Sequence, residues 1–175
     1  MQSQFAPAFP RALICASCQL RAAPCQWLEE ALVEAFSLRG LALLADSWST
    51  DPPFKDDSGF GAAVAVYRQN IVQRYGKLAI EQGNPKEFSA WFRQHRAAMG
   101  AQPGLNPFAQ AASLTILTEY ERSPSGMEAL GALNRWPGRS SIALEDYFRA
   151  WEGSCKQLQA AADLPIRLQK LLGLS

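Results

Sequence analysis

The chain has 175 residues, of which 48% are hydrophobic and 19% are charged, and its formal net charge is +1. These values exclude an intrinsically disordered protein, and the length corresponds to one domain that is stable without disulfides or metals. Because the charge is near zero, nothing favours a general attraction to nucleic acid or to an anionic membrane. No stretch approaches the roughly 20 apolar residues of a membrane-spanning helix. We therefore expect neither nucleic acid nor a membrane among its partners.

Residues 1–24 are predicted to be an irregular N-terminal arm, and residues 25–175 a single helical domain. A small β-hairpin within the first 25 residues is the main alternative for the arm. The apolar run 12–16, followed by Cys18, faintly resembles a lipoprotein cleavage site. A signal peptide has a basic start and an apolar core of about 7–15 residues, whereas residues 1–10 carry no positive charge. A cytoplasmic location is therefore expected.

The four cysteines, Cys15, Cys18, Cys25 and Cys155, leave three interpretations open. Two disulfides would require an oxidising compartment. The Cys15-x-x-Cys18 spacing suits a zinc site completed by Cys25 or Cys155, but such sites usually contain two paired motifs, and the second pair is missing. The pattern favours free thiols in a helical protein, and we expect no metal or other cofactor.

The first strong helix signal runs from Cys25 to Trp48. Its apolar residues recur at helical spacing, which predicts one buried face, and the pattern resumes beyond Gly40, a candidate kink. Residues 46–61 then form the longest segment without periodicity, and loops of this length tend to be functional or mobile. The predicted face consists of Leu28, Ala31, Leu32, Ala35 and Phe36.

A second helix is predicted over residues 60–82, with Gly83 as its stop. The third begins at the start signal Asn84-Pro85 and ends at Gly100, and Asn106-Pro107 begins a fourth that runs to about residue 121. The apolar stripe of the second helix consists of Val64, Tyr67, Ile71, Tyr75 and Leu78.

A short helix is predicted from Ser125 to Trp136, where Pro137-Gly138 ends it. Ser140 or Ser141 is predicted to cap the next helix, and a last helical region follows Gly153 to residue 172, broken near Pro165. The helix after the cap has an aromatic stripe of Leu144, Tyr147, Phe148 and Trp151.

Evidence for strands is weak, because alternating runs of β-branched residues are missing. The sequence therefore predicts an all-α protein, a single globular domain of about six or seven helices in an orthogonal or bundle-like array.

Signatures of catalysis are also missing. The single histidine, His95, excludes metal centres that need two or more histidines. Neither a glycine-rich phosphate loop nor a Gly-x-Ser-x-Gly nucleophile motif occurs. The carboxylate pairs Glu30/Glu34 and Glu119/Glu121 are interpreted as solvated helix faces, since acid–base chemistry needs carboxyl groups that converge on a cleft. These absences favour a binding protein over an enzyme.

Two functional hypotheses remain. The first is a non-enzymatic protein-interaction domain, such as an adaptor, accessory, inhibitor or immunity-type protein, because tryptophan and arginine in loops are common binding hot spots. Its candidate partner-binding residues are Trp48, Phe54, Arg135, Trp136 and Arg139. The alternative is a helical small-ligand-binding or small enzymatic domain, with a pocket lined by Trp91, His95, Tyr147 and Trp151. The identity of the partner and the oligomeric state stay open.

Overall fold

The computed structural model describes residues 23–54, 59–83 and 87–174 of the chain. Within these ranges the chain forms six α-helices, two 3₁₀ helices and no strand, so the all-α prediction is confirmed. The predicted arm lies outside the described residues up to position 22, as does the alternative hairpin. The α-helices are α1 (Gln26–Thr50), α2 (Phe60–Glu81), α3 (Phe88–Ala101), α4 (Pro107–Arg122), α5 (Leu144–Gln157) and α6 (Asp163–Leu172), and the 3₁₀ helices are Pro124–Ala132 and Arg139–Ser141.

The long helix α1 packs along both α2 and α4, and α2 also packs on α4. Polar side chains fix the crossing points. Tyr120 Oη of α4 donates to the carbonyl of Leu32, 3.1 Å away, and Arg39 Nη1 of α1 donates to the carbonyl of Tyr120 at 2.6 Å. The last carbonyls of a helix have no partner within it, so Arg39 satisfies one of these at the end of α4.

Asn106 caps α4, as the sequence predicts. Its Oδ1 accepts hydrogen bonds from the backbone N–H groups of Phe108 and Ala109, both at 3.0 Å. Pro107 occupies the first helical position, where the missing N–H has no consequence. The comparable Asn84-Pro85 signal lies outside the described residues, and α3 begins at Phe88.

The predicted aromatic stripe of α5 is also confirmed. Tyr147, Phe148 and Trp151 are fully buried, and Phe148 and Trp151 are stacked with ring centroids 6.1 Å apart. Trp151 Nε1 donates to the carbonyl of Ala129 at 2.7 Å, which gives the buried indole its hydrogen-bond partner. The stripe thereby joins α5 to the 3₁₀ helix Pro124–Ala132.

The short helix predicted from Ser125 to Trp136 is present, but it is a 3₁₀ helix that spans Pro124–Ala132. The buried residues explain the difference: Gly126, Ala129 and Ala132 recur every third position, which matches three residues per turn. Their small size lets neighbouring elements approach closely. A Cβ atom added at Gly126 would lie 3.1 Å from Arg167 Nη2 and 3.3 Å from Leu164 Cβ, both on α6.

Several helix ends differ from the prediction. α1 continues through Gly40 to Thr50, so the segment before α2 is shorter than the predicted loop. Similarly, α5 continues through Gly153 to Gln157. The break in the last helical region lies at 158–162, and Pro165 occupies the first turn of α6, where proline is tolerated.

The predicted serine cap of α5 is wrong as well. The residue before α5 is Ala143, which makes no side-chain capping bond, while Ser140 and Ser141 belong to the 3₁₀ helix Arg139–Ser141. Glu145 and Asp146 lie in the first turn of α5, where the helix dipole favours negative charge. Charge rather than a capping hydroxyl therefore stabilises this helix start.

Candidate functional site

Two sides of α1 are covered by neighbouring helices. Glu34 Oε1 accepts a hydrogen bond from Tyr75 Oη of α2 at 2.8 Å, and the carbonyl of Leu38 accepts one from Arg68 Nε of α2 at 2.9 Å. The Tyr120 hydroxyl of α4 reaches α1 on a second side. Successive residues of an α-helix are turned by about 100°, so α1 retains a third side that points away from both neighbours.

This third side carries large apolar residues. Val33, Phe36 and Leu43 follow each other at helical spacing, and their exposed fractions are 42%, 51% and 57%. Gly40 lies between them, and a Cβ atom added there would meet nothing within 4 Å. We call the surface formed by Val33, Phe36, Gly40 and Leu43 the outer face of α1. It is the candidate functional site.

One residue of the outer face was predicted to be buried. Leu28, Ala31, Leu32 and Ala35 are buried as predicted, but Phe36, assigned to the same face, is exposed. Phe36 is turned by about 100° from Ala35, beyond the reach of α4. Tyr67 of α2, also assigned to an apolar stripe, is exposed too. Val33 and Leu43 were not assigned to any face, although their spacing with Phe36 could have indicated a second apolar row on α1.

Acidic residues dominate the charge of α1. The helix carries the carboxylates of Glu29, Glu30, Glu34 and Asp46, but a single guanidinium, that of Arg39. The Arg39 guanidinium is directed at the end of α4, where it donates to a backbone carbonyl. Glu34 accepts from Tyr75 of α2 and Glu29 accepts from Tyr147, so Glu30 and Asp46 form the acidic border of the outer face.

The predicted residues Trp48 and Phe54 lie at the C-terminal end of α1. The Trp48 ring is 4.4 Å from the Phe60 ring and 6.4 Å from the Phe54 ring, measured between centroids. Phe54 is exposed, whereas Trp48 is half-buried. This aromatic cluster brings α1 and α2 together and places an exposed ring beyond the end of the outer face.

Of the other predicted partner-binding residues, Arg135 and Trp136 lie in the turn between the two 3₁₀ helices, and Arg139 begins the second of these helices. Trp136 is half-buried: its ring packs edge-on against Tyr147 with centroids 5.0 Å apart, and its Nε1 donates to the carbonyl of Arg139 at 3.2 Å. Arg135 and Arg139 are exposed, and Arg135 Nε donates to the carbonyl of Gly131 at 2.9 Å. Trp136 therefore packs against the body of the domain, while the two arginines face solvent.

A polar cluster lies beneath this turn, at the N-terminal end of α1. Glu29 Oε1 accepts a hydrogen bond from Tyr147 Oη at 3.3 Å, and the side chains of Asn134 and Ser140 also bond to Glu29. Burial raises the pKa of Glu29 above its ordinary value, against the opposing effect of these hydrogen bonds. Burial likewise raises the pKa of Tyr147, and the Glu29 charge adds to that effect. The cluster closes the N-terminal end of the outer face.

The two described cysteines are buried free thiols. Burial raises the pKa of Cys25 to about 12, with Glu29 adding to the shift, and it also raises the pKa of Cys155. Cys15 and Cys18, on which the zinc alternative depends, lie outside the described residues. In the described part of the chain, no three histidine, cysteine or acidic side chains are grouped so as to hold a metal ion.

The four residues of the alternative pocket form two separate pairs. The rings of Trp91 and His95 are 5.4 Å apart, and His95 also lies 5.0 Å from Phe108. Tyr147 and Trp151 are 6.4 Å apart, and no ring contact joins the two pairs within the described ranges. His95 Nε2 is buried and finds no hydrogen-bond partner among the described residues.

Two surface clefts lie elsewhere. One of about 550 Å³ is lined by residues of α3, α4 and α6, including Phe88, Thr118 and Lys170. Another of about 710 Å³ lies between α3 and the start of α5, next to Arg93 and Ile142. The four residues of the alternative pocket line neither of these clefts.

Glu119 corrects another expectation, since the sequence suggested a solvated carboxylate. It is buried, with Oε1 2.7 Å from Arg122 Nη1 and Oε2 3.4 Å from Arg167 Nε. Arg167 Nη1 in turn lies 3.0 Å from Asp163 Oδ2. A buried carboxylate needs such partners, so Glu119 links α4 to α6. Glu121 is exposed, as predicted, and pairs with Arg68 at 3.3 Å.

Comparisons with family models, with curated proteins and with solved structures give no match for this chain. None of the helices in the described ranges combines the length and apolar character needed to cross a membrane.

Proposed function

We propose that this protein is a non-enzymatic helical interaction domain that binds a protein partner through the outer face of α1. The observation that carries this proposal is the row of Val33, Phe36 and Leu43, exposed on a helix whose other sides are covered. Most of the other apolar side chains of α1 are buried against neighbouring helices, whereas these three are left uncovered. An exposed apolar row of this kind is typical of an interaction surface.

The outer face is also suited to binding because it is held rigid. Hydrogen bonds from Tyr75, Arg68 and Tyr120 fix α1 against α2 and α4, so the backbone of α1 loses little freedom when a partner docks. Covering the exposed part of each apolar side chain would contribute on the order of 1 kcal/mol. The exposed Phe54 ring would extend the contact beyond the end of α1.

Affinity capture from an extract of the native host tests the proposal. The bait variant Val33→Gln/Phe36→Gln/Leu43→Gln removes the apolar row and keeps helix propensity high. Because these side chains are largely exposed, its melting temperature should stay close to that of the wild type. We expect the wild type to retain a partner, identified by mass spectrometry, that the variant loses.

The matched control is Leu158→Gln/Ile166→Gln, since these residues are 44% and 41% exposed but lie at the end of α5 and on α6. This control should retain the partner. Equal capture by the wild type and the triple variant would show that the outer face is not the binding surface.

A further inference from the structure

The acidic residues beside the outer face favour a partner that carries positive charge. This inference rests on the proposed function. Glu30 lies on the N-terminal half of α1, and exposed Asp46 and Asp51 lie at its C-terminal end. The one opposing charge of the helix, Arg39, already donates to the carbonyl of Tyr120. A partner that covers the apolar row therefore brings its own flanking groups close to carboxylates.

We infer that the partner contributes an amphipathic helix whose apolar stripe is flanked by lysine or arginine. The spacing from Val33 to Leu43 is ten residues, about 15 Å of helix, which matches roughly three turns of a partner helix. Apolar side chains at helical spacing on that segment cover Val33, Phe36 and Leu43. Open space above Gly40 lets its backbone approach α1 closely. Its basic flanks complement the acidic border.

The negative charge of α1 disfavours the other candidate partners for this surface. A second copy of the chain would place one acidic α1 against another, and like charges across an interface are unfavourable whether the two helices run parallel or antiparallel. An anionic bilayer is disfavoured for the same reason. The acidic border attracts a basic helix, whereas it repels a second copy of this chain or an anionic bilayer.

Two synthetic peptides of about 18 residues test the inference, a length at which helices can form in isolation. Both carry the same leucine stripe at helical spacing, but one has lysine flanks and the other glutamate flanks. Fluorescence anisotropy with the full chain should give at least about tenfold tighter binding for the lysine peptide, as two or three weak charge pairs would produce. The difference should shrink in about 1 M salt, where charges are screened within about 3 Å.

Variants of the protein test whether the lysine peptide binds at the outer face. The variant Val33→Gln/Phe36→Gln/Leu43→Gln should bind the lysine peptide about 30-fold more weakly than the wild type, or weaker still. Glu30→Gln/Asp46→Asn should reduce the preference for lysine over glutamate flanks while leaving the apolar contact in place. Leu158→Gln/Ile166→Gln should bind both peptides like the wild type.

Equal affinity for both peptides, lost in the triple variant, would overturn the basic-helix inference but leave the proposed function standing. Lysine-peptide binding that survives the triple variant would overturn the inference, because the peptide would then bind elsewhere. Failure of both peptides to bind would overturn it as well. If sedimentation showed a wild-type dimer that the triple variant loses, the occupant would be a second copy instead. Capture of a host partner through the outer face decides the proposed function separately.

Discussion

Glu29 is the carboxylate at which α1 meets the turn before α5. It receives hydrogen bonds from Tyr147, Asn134 and Ser140, yet burial still raises its pKa above the ordinary value of 4.5. The folded chain therefore holds the Glu29 proton more tightly than the unfolded chain does. The resulting stabilisation is fully present below the unfolded value and is lost as the pH rises through the raised folded value.

Replacing Glu29 with glutamine should change how stability depends on pH. Glutamine resembles the protonated carboxyl group, so Glu29→Gln should match the wild type most closely below pH 4.5, where Glu29 is protonated in both the folded and the unfolded chain. Its stability relative to the wild type should then increase towards neutral pH, because ionisation of Glu29 no longer opposes folding. Urea denaturation at a series of pH values measures this difference.

Glu81→Gln provides the control for simple loss of a carboxylate, since Glu81 is exposed at the end of α2. A difference between Glu29→Gln and the wild type that is constant with pH, or that decreases towards neutral pH, would contradict the raised pKa of Glu29.

At the scale of single elements, the start of α4 depends on one side chain. Asn106 is buried, and its Oδ1 accepts from two backbone N–H groups that have no partner within the helix. Asn106→Ala should therefore lower the free energy of unfolding by about 1 kcal/mol, the usual value for loss of a cap. Chemical denaturation monitored by circular dichroism would detect this change.

Asn106→Asp separates the two roles of the side chain. Aspartate keeps the oxygen acceptor but loses the Nδ2 group that donates to the carbonyl of Gln102 at 3.0 Å. We expect it to recover most of the stability that alanine loses. Equal stability of Asn106→Ala and the wild type would mean that the capping bonds contribute nothing to α4.

The elements differ in how far sequence alone could predict them. The cap at Asn106 and the stripe Tyr147–Trp151 were predictable because each depends on residues close together in the chain. The helix Pro124–Ala132 was predicted, but its 3₁₀ geometry was not, because buried residues at every third position also fit an α-helical pattern. Phe36 was misassigned because periodicity defines a helix face but not where its covering neighbours end.

The candidate site was harder to predict than the elements, for a reason that belongs to the whole molecule. Trp91–His95 and Tyr147–Trp151 each share a helix, but whether two such pairs meet depends on tertiary packing. In the structure they contribute to different parts of the core. The outer face of α1, similarly, exists only because α2 and α4 cover the other sides of that helix.

The whole domain should unfold as one unit. Cys25, before α1, and Cys155, in α5, both belong to a hydrophobic core to which all six α-helices contribute. In a Cys15→Ser/Cys18→Ser variant, alkylation of both remaining thiols should require global unfolding. Their rates, corrected for intrinsic reactivity and measured by peptide mass spectrometry, should give the same opening free energy and rise in parallel with urea.

Much faster labelling of one thiol without denaturant would contradict this expectation. It would show that part of the domain opens separately. Alkylation in full denaturant supplies the reference, because both thiols are then exposed and their burial-raised pKa values return to normal.

The 3₁₀ geometry of Pro124–Ala132 affects the distance that the chain spans between the end of α4 and Trp136. A 3₁₀ helix rises about 2.0 Å per residue and an α-helix about 1.5 Å, so its nine residues reach about 18 Å instead of roughly 13.5 Å. The additional reach carries the chain from the end of α4 far enough for Trp136 to lie against Tyr147. Substitutions that convert this segment to α-helix would shorten it by nearly one α-helical turn and draw Trp136 back. The length of this short segment thus places the Trp136–Tyr147 contact beside the N-terminal end of α1, where Tyr147 donates to Glu29.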